Sequence, residues 1–177
     1  MCGFSPEVDQ TLRTDLDERS SLIRRLRAVH ALYEVVCATM TLDQVNAVVV
    51  PGDLPIAFSH VHQVLIEDGT VLFVGGPPPQ FDVDWSRRIG LGVEDSGKGK
   101  KVEEMTHQRI DDYDAFRAFP SLVFEATERF AARVDLTTLN DVVVAPPYGP
   151  TIVNTFSALV RGDTGITRSD ALECWIY

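Results

Sequence analysis

Cysteine is scarce, cations are outnumbered, and no apolar run is long, and each shortage excludes a class of protein. The three cysteines, Cys2, Cys37 and Cys174, are odd in number and far apart, with no CxxC or Cys/His spacing of a zinc site. A reducing, cytoplasmic setting is therefore expected rather than a disulfide framework. Lys and Arg total 16 against 26 Asp and Glu, and the resulting net charge of −10 opposes a phosphate backbone, so nucleic acid is excluded as a general partner. The longest mostly apolar runs, Leu32 to Met40 and Val71 to Gly76, fall well short of the ~20 residues that span a bilayer. Met1 to Arg13 is polar and acidic and lacks the apolar centre of a secretory signal, so neither export nor a membrane partner is expected.

What is present is ordinary: 177 residues, 45% hydrophobic and 24% charged. That length buries roughly 70% of the unfolded surface, which predicts a single α+β domain over residues 1–177. Ser5-Pro6-Glu7 carries the cap, first-turn proline and acid of a helix start. From about Glu18 to Met40, Leu22, Ile23, Leu26, Val29, Tyr33 and Val36 recur at three- and four-residue steps and predict a core-facing helix. Arg24, Arg25 and Arg27 lie off that stripe as a local basic face suited to an acidic neighbour. The valines of Val45 to Val50 favour a strand. Pro55 to Ile66 alternates in period two, and Asp68-Gly69 followed by Val71 to Val74 completes a predicted hairpin.

Gly75 to Lys101, rich in Pro and Gly, reads as an irregular arm with one embedded strand near Ile89 to Val93 and with contacts to other subunits. Val102 to Ile110 suits an edge strand. Asp111 to Val134 is helical, with Pro120 closing one piece and opening the next, whose stripe is Leu122, Val123, Ala126, Phe130 and Val134. Strands are expected at Asp141 to Ala145, Ile152 to Val160 and Ala171 to Ile176. The sum is an α+β fold: one mainly antiparallel sheet, built from the hairpin and the C-terminal strands, covered by two main helices. That element order is similar to the order in small ring-forming neck and tail-terminator proteins of tailed phages, a similarity that rests on no shared motif and implies a ring-forming structural role.

The local feature with most chemistry is His60-Val61-His62. On a strand, alternation sets Ile56, Phe58, His60, His62, Val64 and Ile66 on one face, so two imidazoles share it with bulky apolar groups and need partners. Two readings follow: hydrogen-bonded or interfacial histidines, or a divalent metal held by His60, His62 and a third ligand from Glu67 or His107. In the second, a metal-bound water is the nucleophile, with Glu67 or Asp68 as general base.

Gly52, His60, His62, Glu67 and Gly75 supply the residue types of the first cupin motif, which the stretch superficially resembles. Gly52 lies too far upstream, however, and Ile152 stands where the second motif's histidine falls, so the assignment is excluded. Gly92-Val93-Glu94-Asp95-Ser96-Gly97-Lys98-Gly99 resembles a P-loop but places Gly99 where Ser or Thr must hold magnesium. Met1-Cys2-Gly3 resembles the start of class II glutamine amidotransferases, yet a polar helix follows where that family has an apolar strand. Cys37 and Cys174 fall on apolar stripes and read as small buried hydrophobes, His30 as a helix-face residue, and Arg161-Gly162-Asp163 as a turn. With no intact catalytic motif, the expectation is a non-enzymatic assembly or protein-interaction subunit, homo-oligomeric and free of cofactors. The alternative is a small divalent-metal enzyme built on His60 and His62.

Overall fold

The structure, a computed structural model, describes residues 6–173, with side chains from Glu18 onward. Three long helices dominate it: α1 (Pro6–Thr39), α3 (Ile56–Phe73) and α6 (Tyr113–Ala131). Between them lie α2 (Leu42–Val45), α4 (Val83–Ile89) and α5 (Val102–Met105). After them come β1 (Val142–Val144), α7 (Phe156–Arg161), β2 (Ile166–Thr167) and α8 (Arg168–Glu173). The α+β class holds in a mostly helical form, whose sheet is a two-stranded antiparallel pair with Val142 opposite Thr167 and Val144 opposite Ile166. The hairpin is absent, and the expectation of two main covering helices gives way to three helices that pack chiefly on one another, with α6 against both α1 and α3.

Residues 56–73 form a helix because their buried side chains, Ala57, His60, Val61, Val64, Glu67, Asp68 and Val71, step by three and four. Asp68-Gly69 makes no turn. The Asp68 carboxylate accepts the backbone N–H groups of Gln80 and Phe81, both at 2.8 Å, and so ties the Pro77-Pro78-Pro79 loop to α3. The helix stops where Gly75 takes φ +88°, which lets its N–H reach Leu72 O while Gly76 N–H reaches Val71 O.

Other expected strands are also helix. Thr41 and Gln44 cap each other around α2, so Val45 ends a helix and Val48 to Val50 form an exposed loop. The strand expected near 89–93 is replaced by the end of α4. Residues 102–105 are helical, and residues 156–161 and 168–173 are α7 and α8 rather than strands. Residues 174–177, the rest of the last expected strand, lie outside the described residues, as do Cys2 and the predicted cap at Ser5. Pro120 interrupts nothing, because α6 runs through it with Asp112 capping Ala115 N–H at 2.8 Å.

The Gly75 to Lys101 segment lies against the bundle. Ile89 and Val93 are buried, and Trp85 and Phe81 pack on Phe119. Gly92 is required there, since a Cβ at that position would strike the His107 carbonyl oxygen. Gln108, fully buried, grips Val93 through both backbone groups, accepting its N–H at 2.9 Å and donating to its oxygen at 3.0 Å. Asn46 grips Ile110 in the same way.

The core has two apolar clusters. One gathers Cys37, Val61, Val64, Ile89, Phe116, Phe119, Val123 and Phe124 with their neighbours; the other gathers Leu22, Leu26, Val71, Val74, Ala131 and Leu172. A polar layer lies between them.

Candidate functional site

The layer takes one residue from each long helix. His30 follows Leu26 on α1, Glu67 falls between Val64 and Val71 on α3, and Glu128 falls between Phe124 and Ala131 on α6, so all three sit where one cluster gives way to the other. The His30 ring lies flat on Phe124, 4.0 Å between centroids at 4°. Its Nδ1 is 3.0 Å from Glu128 Oε1. Its Nε2 is 3.2 Å from Glu67 Oε1 but out of line for a hydrogen bond, so charge rather than a directed bond joins them. Arg27 Nε donates to Glu128 Oε2 at 2.8 Å. An imidazolium sets positive charge between the two carboxylates, and Arg27 with charged His30 then balances the two glutamates.

Burial alone would lower the His30 pKa, but the carboxylates of Glu67 and Glu128 beside its two ring nitrogens outweigh it and raise it above 6.5. Burial would raise Glu128, and His30 and Arg27 reverse that, holding its carboxyl below the usual glutamate value. Because the folded pKa of His30 exceeds the unfolded one, its contribution to stability is complete below about pH 6.5 and fades as pH rises through the folded value. Glu128 has the opposite sign: its contribution is present above about pH 4.5 and is lost as pH falls through its lowered value. The stability lost in His30→Gln is therefore expected to be largest near pH 6 and to shrink above neutrality, as read from urea midpoints of both proteins across pH. A loss that stays constant or grows with pH would contradict a charged His30. Comparison with the variant is needed because burial lowers the pKa of His60, whose contribution grows with pH in the same region.

His60 and His62 do not share a face. On a helix, residues two apart point roughly 200° from each other. His60 turns inward, its Nδ1 3.4 Å from Cys37 Sγ and its backbone oxygen accepting the Tyr33 hydroxyl at 2.9 Å. His62 turns toward the 92–99 loop, its Nδ1 2.5 Å from Ser96 O and its ring stacked on Phe58. Glu67, two turns beyond His60, meets His30 instead. His107 is exposed. The proposed ligand set is thus not brought together, and among the described residues no group of three or more His, Cys, Asp or Glu is placed to hold a metal.

Cys37 and His60 form the second polar contact of the interior. Burial raises the thiol pKa of Cys37 and lowers the imidazole pKa of His60, so the pair is a neutral thiol beside a neutral ring rather than an activated thiolate. Burial likewise raises Tyr33 well above its ordinary value and Tyr113, whose hydroxyl donates to Cys37 O at 2.9 Å, to about 12. The P-loop-like segment is closed by its own side chains: Asp95 accepts Gly97 N–H at 2.7 Å and pairs with Lys100 at 3.2 Å.

His30 is the interior polar residue that the sequence pattern undervalues. The interior path of α1 is Leu22, Leu26, His30, Tyr33 and Cys37, while Val36, expected inside, is exposed. A histidine four residues from Leu26 and three from Tyr33 is the signal.

No helix among the described residues is long and apolar enough to cross a membrane. No family model matches the chain, and comparison with curated proteins finds no match. Among solved structures, a conserved protein from Enterococcus faecalis is similar, with a TM-score of 0.65 over 89% of this chain and 85% of that one at 16% identity. At that identity the likeness shows a shared fold.

Proposed function

We propose that the chain is a non-enzymatic assembly or protein-interaction subunit that associates with itself. The supporting observation is apolar surface left uncovered on regular helices. Leu32 and Val35 on α1 are 64% and 59% exposed, and Phe156 and Leu159 on α7 are 77% and 71% exposed. Scattered exposed leucines are ordinary, but rows of large apolar residues on one helix mark surfaces that a protein partner covers. The interior polar groups add to this reading, because His30 is enclosed by carboxylates and the Cys37–His60 pair is neutral and buried. The phage-protein comparison loses its basis, since it rested on an order of strands that α3, α7 and α8 replace.

Sedimentation equilibrium across a hundredfold concentration range is expected to give a mass that rises above the 19.6 kDa of one chain. A mass fixed at one chain throughout would overturn self-association.

A further inference from the structure

Helix α1 carries two stripes. The inner one, Leu26, His30, Tyr33 and Cys37, faces α3 and α6. On the opposite side Ala28, Leu32, Val35 and Thr39 step by four, three and four residues, and all four are exposed. Ala31, Val36 and Ala38 flank them, also exposed. Steps of four, three and four average about 3.7 residues, close to the ~3.6 of the helix itself, so the four side chains stay on one side of α1 and form a continuous seam for a second helix. Among the described residues nothing covers that seam. Beside it, an open groove of ≈ 730 Å³ separates Val35 and Ala38 of α1 from Ala118 and Ser121 of α6, and Leu122 of α6 is exposed.

We infer that the occupant is α1 of a second copy, packed antiparallel about a two-fold axis between Leu32 and Val35. This rests on the self-association proposed above and names its surface. Charge along the seam selects the partner and its direction. The turn of α1 that leads into the seam is basic, with Arg24 and Arg27 exposed, and the far end of the seam is acidic, with Glu34 on α1 and Asp43 on α2, both exposed. Arg27 is held by Glu128, whereas the side chains of Arg24 and Asp43 make no hydrogen bond or ion pair among the described residues. Antiparallel pairing sets Leu32 against the copy's Val35, sets Ala28 against its Thr39, and brings each Arg24 toward the copy's Asp43. Parallel pairing would set Arg24 on Arg24 and Asp43 on Asp43. A chain of net charge −10 repels its own copy over most of its surface, so the basic turn of α1 is where a second acidic chain is best received. A two-fold contact of this kind is self-complementary, each patch meeting the same patch.

The full-length chain tests this by sedimentation equilibrium, with circular dichroism melts to show that each variant remains folded. Leu32 and Val35 are exposed, so L32E/V35E is expected to keep its melting curve and to lose the dimer at concentrations where wild type associates. Arg24→Glu alone and Asp43→Arg alone are each expected to weaken association at least tenfold, and the double variant R24E/D43R to return it to near wild type. Singles that weaken without rescue in the double variant would overturn the antiparallel register. A wild-type oligomer untouched by L32E/V35E would overturn the α1 surface and leave self-association standing. A wild-type monomer at every concentration would overturn both, leaving the seam to a helix of another chain.

Discussion

Glu67→Ala is expected to lower the unfolding free energy by about 3–5 kcal/mol at pH 6, the scale for removing one partner of a buried ion pair. The Glu67 side chain is only 2% exposed and lies 3.2 Å from a histidine ring stacked flat on Phe124. Without it, His30 keeps Glu128 at one nitrogen and faces a dry void at the other, where neither water nor a second acid neutralises the charge. Glu128→Ala should cost less, because its carboxylate is partly exposed and its other partner, Arg27, reaches solvent. The pair substitution H30L/E67L separates charge from packing. Replacing a buried ion pair by apolar residues is commonly neutral or stabilising, so the double variant is expected to recover most of what Glu67→Ala loses. Urea unfolding of all three variants supplies the comparison, and a loss below about 1 kcal/mol in Glu67→Ala would mean that the contact is not an ion pair.

The same layer explains what could be read in advance. The α1 and α6 helices were legible because their apolar residues recur at helical steps, although Val36 and Leu122, expected inside, are exposed, and the class was legible because two helical segments coexist with valine-rich ones. Residues 56–73 were not, since two patterns overlap there. Ile56, Phe58, Val64 and Ile66 alternate like a strand, while the helical stripe passes through His60, Glu67 and Asp68, polar groups that a hydrophobicity pattern counts as surface. Those residues become interior only through partners distant in sequence: His30 for Glu67, Cys37 for His60, and the N–H groups of Gln80 and Phe81 for Asp68. Once 56–73 is helical, the sheet it would have founded is gone. The valine-rich segments after residue 140 then lack strands to join, and two short pieces pair only with each other. Reading His60 and His62 as one face was a consequence of the same choice of period. The polar layer itself has no local signature, being one residue from each of three helices.

Phe119→Ala is expected to cost a further 3–5 kcal/mol or so, by a different route, the cavity left by a large buried ring. Phe119 is 1% exposed and meets Phe81 edge-on at 5.5 Å and Trp85 at 5.3 Å. It therefore joins α6 to the Pro- and Gly-rich segment from Gly75 to Lys101, whose other anchors include the Asp68 carboxylate, the Gln108 grip on Val93 and the His62 contact to Ser96 O. Burial raises the Asp68 pKa despite its two backbone donors. Truncating Phe119 should thus loosen the segment before the bundle. Limited proteolysis is expected to cut first within residues 77–100, and amide exchange there should accelerate more than in α3. Phe156→Ala is the control, an aromatic of the same size that is 77% exposed on α7, and its effect on stability should stay within about 0.5 kcal/mol. Equal losses in the two variants would mean that α7 is covered by another surface, and the Phe156 variant would then be read for its association state first.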